Sequence, residues 1–407
     1  MTLGIDDRLV AAEFWRNPYP LLERLRREAP VWQLPGEAAF LVSTWALVAE
    51  ATRRVEDFSN HFRHTIFSHE DGTLGVLETG AMGPDVFAGE DPPAHTEQRK
   101  IFFAELVQKK IDAMEPYVVG LTDGLLDGLL ASDRGDAAVG LAHPLPMRVI
   151  AERVLGFRDP DVEQIQRWMF TGSRLVGGLL TLEQMAAQSG EAAGLVEWTD
   201  SQLDGAVASP GEGDVLSASA VAVRDGRLTR EEASFTLMVL VGAGAETTTS
   251  LIGIAIGLLA EHGELQDELR AEPSKVPAFV EEVLRYESPF RYHPRTAARA
   301  TELGGVAVPE GAMVLLSWSS ANRDETVFER PAEIKLDRRN AHLHFGFGRG
   351  IHHCVGAPLA RLEARVVLTR LLARTASFEL DPERAQRWSD SIWIHRHESL
   401  PLVIDPN

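Results

Sequence analysis

Apolar residues recur every three to four positions over most of the chain, and strict alternation is confined to short stretches, so the pattern is largely helical. Residues 19–29 and 45–58 read as amphipathic helices, with short strands around Val31–Trp32 and Phe40–Val42. From Phe62 to Asp91 the periodicity fails and Gly, Asp and Glu accumulate, which predicts a long loop, often a functional feature in a compact protein. Helical patterns return at 93–112, 115–131, 144–156, 161–178 and 182–208, the last ending in the breaker-rich "SPGEGD" (Ser209–Asp214). Thr229 to Glu231 caps a long apolar segment, Ala233 to Gly263, and 275–286 forms a further helix. Beyond residue 289 the texture changes. "RTAARATELGGVAVPEGAMVLLS" reads as paired strands turning at Gly304–Gly305 and Pro309–Gly311. Arg323 to His344 is irregular and charged, 358–375 is helical, and the final forty residues suggest strands and turns, "SIWIH" (Ser391–His395) the clearest. With no internal repeat or linker, the pattern predicts one mainly α unit over 1–407, its small β portion near 31–42, 290–320 and 376–407.

Charge narrows the partners. Forty Lys and Arg against 60 Asp and Glu leave a net charge of −20, which disfavours nucleic acid and anionic membranes. The single cysteine, Cys354, excludes an internal disulfide and makes a reducing cytoplasm the expected setting. The N-terminus shows no basic region followed by an apolar run, so no signal peptide is expected. Ala233–Gly263 approaches membrane-spanning length, but Glu246 and three threonines interrupt its middle and no basic anchors flank it. It therefore reads as a helix buried inside a globular protein.

Candidate chemistry centres on "HFGFGRGIHHCVGAPLARLEA" (His344–Ala364). Glycines at 346, 348, 350 and 356 permit sharp turns and close backbone approach, and Pro358 suits the first turn of the following helix. A cysteine just before a helix N-terminus is favoured as thiolate, which could serve as nucleophile, zinc ligand or haem ligand. Zinc would need further ligands at suitable spacing, and no cysteine pair exists. Phe347, Gly348, Gly350, His352, Cys354 and Gly356 fill every fixed position of Phe-Gly-x-Gly-x-His-x-Cys-x-Gly, so the segment resembles the cysteine-ligand loop of the cytochrome P450 family.

Three further motifs carry the same resemblance, which extends over essentially the whole chain. "EEVLRY" (Glu281–Tyr286) holds Glu282 and Arg285 on one helix face. The family buries that pair together with an arginine from the irregular segment, for which Arg338 is the best match, in a structural network. "AGAETT" (Ala243–Thr248) resembles the family's acid–alcohol motif. An acid and an alcohol within an apolar helix are costly unless used; the resemblance makes Glu246 and Thr247 a proton relay, with Ala243 against the cofactor. Thr247 can also bond its own upstream carbonyl and loosen the helix. "DPPAHTEQRK" (Asp91–Lys100) places His95 and Arg99 one turn apart. The resemblance assigns both, with Arg295 and His352, to the haem propionates. Two departures stand out: Arg349 where many bacterial members have histidine, and His395, Arg396 and His397 in "IHRHESLPL" replacing the usual Arg-Gly-Leu turn.

The resemblance implies the cytochrome P450 fold, haem b with Cys354 as axial thiolate, and insertion of one oxygen atom from O2 into a small, largely apolar organic substrate. Electrons would come from a separate ferredoxin- or flavodoxin-type donor with its reductase, because no flavin or nicotinamide fingerprint is present. An acidic iron–sulfur donor could be met by Arg361 and Arg365, with Lys109 and Lys110. Coupling, desaturation or nitration on the same haem is the nearer alternative outcome, and a haem sensor or carrier without turnover the distant one. The substrate pocket is expected to draw on Phe67, Leu77, Met82, Val86, Val239, Gly242, Phe290, Arg291, His293 and Ile394. If "SPFRYHPRTA" is extended, alternation turns Arg291 and His293 the same way as Arg295. Arg291 would then grip a carboxylate or similar acceptor on the substrate, unless it pairs with Glu287 or reaches solvent.

Overall fold

The computed structural model describes residues 17–79 and 83–407. Its helices in chain order are α1 (Tyr19–Glu28), α2 (Trp45–Arg53), α3 (Ala94–Phe103), α4 (Gln108–Asp112), α5 (Glu115–Leu129), α6 (Pro144–Arg148) and α7 (Val162–Leu175). They continue with α8 (Leu182–Ala208), α9 (Val215–Arg224), α10 (Arg230–Glu261), α11 (Gly263–Ala271), α12 (Val276–Tyr286), α13 (Trp318–Ala321) and α14 (Ala357–Arg374). The strands begin with β1 (Val31–Gln33), β2 (Ala39–Val42), β3 (Phe58–Ser59), β4 (His64–Ser68), β5 (Leu74–Glu78) and β6 (Arg134–Asp136). After α12 come β7 (Tyr292–Ala297), β8 (Thr301–Leu303), β9 (Val306–Val308) and β10 (Met313–Ser317). β11 (Thr375–Leu380), β12 (Arg387–Trp388), β13 (His397–Ser399) and β14 (Pro401–Pro406) close the chain.

α10 runs through the helical part and packs against α14, α8, α6 and α9. Its start is held by a capping box: Thr229 Oγ1 accepts from Glu232 N–H, and the Glu232 carboxylate accepts from Thr229 N–H. It is long and apolar enough to cross a bilayer, but 72% of its apolar 18-residue window is buried in the protein. Around α6 the backbone winds as π-helix at Ala138–Ala142 and Val149–Leu155, with His143 N–H bonding back five residues to Ala138. Pro144 and Pro146 remove two N–H donors from the regular ladder at this point.

The β portion is mostly assembled from distant pieces. A five-stranded sheet has the order β1-β2-β10-β7-β3, β14 lies between β11 and β6, and β4–β5, β8–β9 and β12–β13 are two-stranded.

Several expected elements differ. The helix expected over 45–58 stops at Arg53, where Arg54 leaves helical geometry and its guanidinium bonds Asp57 and Glu50. The loop expected over 62–91 contains the β4–β5 hairpin, whose Ile66, Leu74 and Val76 pack with Ile392 and Trp393. Its apolar residues are divided between both faces, a weak signal in so short a segment. The helix over 93–112 is two, α3 and α4, and α9 and α11 lie where no helix was expected. "SIWIH" is a turn rather than a strand, save one bridge between Phe290 and Ile394. Ser391 Oγ takes the N–H groups of Trp393 and Ile394 that a strand ladder would have used.

Candidate active site at the cysteine loop

Between β10 and α14 the chain turns through Gly348 (φ 62°) and Gly350 (φ 73°), a conformation costly for other residues. A methyl on Gly350 would also sit 3.1 Å from the Thr52 carbonyl. The turn returns the backbone so that Cys354 N–H donates to Phe347 O (2.9 Å) and the cysteine lies just before α14. Burial pushes the Cys354 thiol up, while hydrogen bonds from the Gly356 and Ala357 N–H groups pull it down. The sulfur nonetheless has open surface, so it faces an interior space rather than packing as a small hydrophobe. The helix N-terminus alone therefore does not ionise it; a metal cation at the sulfur would.

The groups expected at two carboxylates lie close together. His95 and His352 have ring centroids 4.1 Å apart. Burial pushes both histidines down, His352 to about 3, where His95, Arg295 and Arg99 push the same way. Buried Arg295 is lowered to about 10 by burial, with Asp91 opposing, and among the described residues its guanidinium bonds His293 and the Pro294 carbonyl. Arg99 donates to His353 O (2.9 Å). His95 Nδ1 and His352 Nε2 are buried without a hydrogen-bond partner among the described residues. Two orphaned ring nitrogens beside two guanidiniums that depress them form a site short of negative charge. The propionates of a haem seated on Cys354 fit that shortage.

α10 carries the acid–alcohol motif in its middle. Phe235, Val239, Ala243 and Thr247 recur every fourth residue and keep open surface in the middle of the helix, with Met238, Gly242 and Gly244 beside them. Thr247 Oγ1 donates to Ala243 O (2.7 Å) as expected, yet the helix remains continuous. Glu246 points elsewhere: it is 4% exposed, and its Oε1 lies 3.2 Å from Arg396 Nε. Burial pushes the Glu246 carboxyl up, while Arg396 and the Ser173 hydroxyl oppose the rise.

The expected pocket residues divide. Val239 and Gly242 lie on the open stripe. Phe67 and Leu77 share the hairpin face opposite Ile66 and Val76; Leu77 is exposed, and Phe67 lies against His69. His293 is partly buried between Phe290, Trp318 and Phe62, and bonds Arg295 as its strand position predicts. Val86 and Ile394 are core residues at 3% and 6% exposure. Arg291 is 1% exposed and donates to Glu287 (2.9 Å), the pairing that was its alternative, and it precedes β7, which begins at Tyr292. Met82 lies outside the described residues.

The expected structural network is present. Arg285 makes two bonds to Glu282 (2.7 and 2.9 Å), and Arg338 Nε approaches Glu282 Oε1 to 2.8 Å without hydrogen-bond geometry. Both guanidiniums also donate to carbonyls between Asn322 and Glu333, and all three side chains are buried.

A cysteine before a helix, an anion-hungry cluster beside it and an acid–alcohol helix define a haem-thiolate oxygenase site. The comparisons with known proteins agree. A family model described as Cytochrome P450 matches residues 200–398. Cytochrome P450 144 of Mycobacterium tuberculosis is 37% identical over 412 residues, covering 99% of this chain and 93% of that protein. 6-Deoxyerythronolide B hydroxylase of Saccharopolyspora erythraea is 36% identical over 321 residues, 77% of each chain. The crystal structure of CYP109E1 from Bacillus megaterium with testosterone superposes with a TM-score of 0.86 at 29% identity, covering 97% of this chain and 99% of that one. The chain belongs to the cytochrome P450 family. It is accordingly a haem-dependent monooxygenase with Cys354 as the axial thiolate.

Proposed function

We propose that this monooxygenase acts on a small, largely apolar organic molecule, with electrons from a separate ferredoxin- or flavodoxin-type protein. The haem supplies oxygen activation when bound. In this reading His95, Arg99, Arg295 and His352 hold its propionates, and Ala243 lies against its face. Val239 and Gly242 shape the substrate space, with Phe290 behind His293 at its edge. Thr247 guides protons at its Oγ1, and Glu246 behind it exchanges them with solvent.

The observation that carries the reading is the acid–alcohol pair of α10, an open Thr247 beside a buried Glu246. The apolar stripe gives a polar substrate little to bind, and the pairing of Arg291 removes the reason to expect an acidic one. Relatives and neighbours point the same way by name: a 6-deoxyerythronolide B hydroxylase, a vitamin D(3) 25-hydroxylase and a structure holding testosterone.

Thr247→Ala is the test. The variant should load haem and show a ligand-induced spin-state change as before. Product per electron pair should fall about tenfold, with hydrogen peroxide released instead. Unchanged coupling would remove Thr247 from proton delivery. Screening macrolide, steroid and fatty-acid ligands by the same spin-state change checks the substrate class.

A further inference from the structure

The departure in the C-terminal turn has a consequence inside the protein. Arg396 is 1% exposed and reaches three groups on three elements. Its Nε lies 3.2 Å from Glu246 Oε1 on α10, and its Nη2 donates to Glu398 (2.7 Å) on β13. Its Cζ lies 3.6 Å from the ring centre of Phe170 on α7. One turn beyond Phe170, Ser173 bonds the same Glu246 carboxylate. Room for this arrangement comes from small residues. Added methyls on Gly253 and Gly257 of α10 would crowd the neighbouring His397 ring at 3.3 and 3.2 Å. His143 bonds the His397 carbonyl (2.8 Å) and lies edge-on to Phe170.

A guanidinium this buried is too costly to desolvate for packing alone; it persists because a charge faces it. Yet the pairing with Glu246 is one-pointed, and Arg396 Nη1 is buried with no hydrogen-bond partner among the described residues. We propose that Arg396 is a positioning residue for Glu246, setting where that carboxylate rests and how readily it takes up a proton. This rests on the relay reading above for its use in turnover, but not for its existence.

The charged and titratable groups facing Glu246 and Arg396 are Glu398 and His397 of β13 and His143 ahead of α6. Burial pushes both of these histidines down, so near neutral pH they are uncharged. That leaves Arg396 and Glu398 as the ionic neighbours, acting in opposite directions on Glu246.

Infrared spectroscopy of the haem-loaded protein across pH reads the Glu246 carboxylic-acid band directly, identified by its loss in Glu246→Gln. Arg396→Gln should move the titration midpoint up by about one pH unit or more, because an opposite charge this close stabilises the ionised form. Glu398→Gln, at a half-exposed site that tolerates change, should move it down, since Arg396 then has one carboxylate to serve. Arg396→Lys should restore most of the wild-type midpoint. If Arg396→Gln folds poorly, the opposite shift in Glu398→Gln still decides. A midpoint indifferent to both changes overturns the proposal. Coupling of electrons to product should follow the same pH shift in Arg396→Gln. A moved infrared midpoint with unmoved coupling supports the positioning of Glu246 and overturns its relay role instead.

Discussion

Cys354 and Glu281 show how one residue's surroundings decide its ionisation. Cys354→Ser replaces a thiolate by a weaker oxygen ligand, so the reduced carbon-monoxide complex should lose the red-shifted band of a thiolate-bound haem. Survival of that band would reassign the ligand. Burial pushes the Glu281 carboxyl up, but hydrogen bonds from His344 and Arg361 outweigh it and hold the group at about 2. Its folded value is therefore below the ordinary value near 4.5. The stabilisation is fully present above that and is lost as pH falls toward about 2. Buried His344 is also pushed down, so acid removes its contribution too, beginning below about 6.5. Glu281→Gln should lower the denaturant midpoint at neutral pH, and the gap from wild type should close between about pH 4.5 and 2. A gap constant with pH would mean that the ion pair contributes nothing. Both contacts lie across the chain, 63 and 80 residues away, and Glu281 looks like any surface glutamate in the sequence.

At the scale of elements, the Glu282–Arg285–Arg338 network ties α12 to the irregular segment preceding the cysteine loop. Glu282 is the one carboxylate these two guanidiniums share, so removing it leaves buried charge uncompensated. Glu282→Gln should therefore cost about 3–5 kcal/mol by urea unfolding, with haem retention falling in parallel. Thr229→Ala removes one half of the capping box on α10 and should cost about 1 kcal/mol. Glu282 and Arg285 were legible from spacing, because three residues on a helix make one face. The β4–β5 hairpin was not, since its core face holds only Ile66, Leu74 and Val76 and its partner surface, Ile392 and Trp393, lies over 300 residues on.

For the molecule as a whole, a net charge of −20 makes the arginines of α14 look like a docking patch. The structure spends them otherwise: Arg361 pairs with Glu281, Arg365 with Glu115, Arg370 with Asp123 and Arg374 with Asp127. Lys110 is likewise paired with Glu105. A neutralised surface steers a charged partner weakly. Raising ionic strength from about 0.05 to 0.5 M should then change the rate of reduction by an acidic ferredoxin less than about threefold. A steep fall in stopped-flow rates would restore the ionic patch.

The cysteine loop, the acid–alcohol pair and the Glu282–Arg285 pair were legible in the sequence itself, each written in residues a few positions apart, where backbone geometry fixes which side chains meet. His95, Arg99, Arg295 and His352 come from distant segments, and only the fold brings them together. The tertiary structure decided the fate of the unpaired-looking charges. Arg291, expected to face a substrate, is held by Glu287, and Arg396, expected only to alter a turn, is held by Glu246. An unpaired buried guanidinium is costly, and the carboxylate that Arg396 meets lies 150 residues away on a helix packed beside its turn. Local pattern carries no record of that.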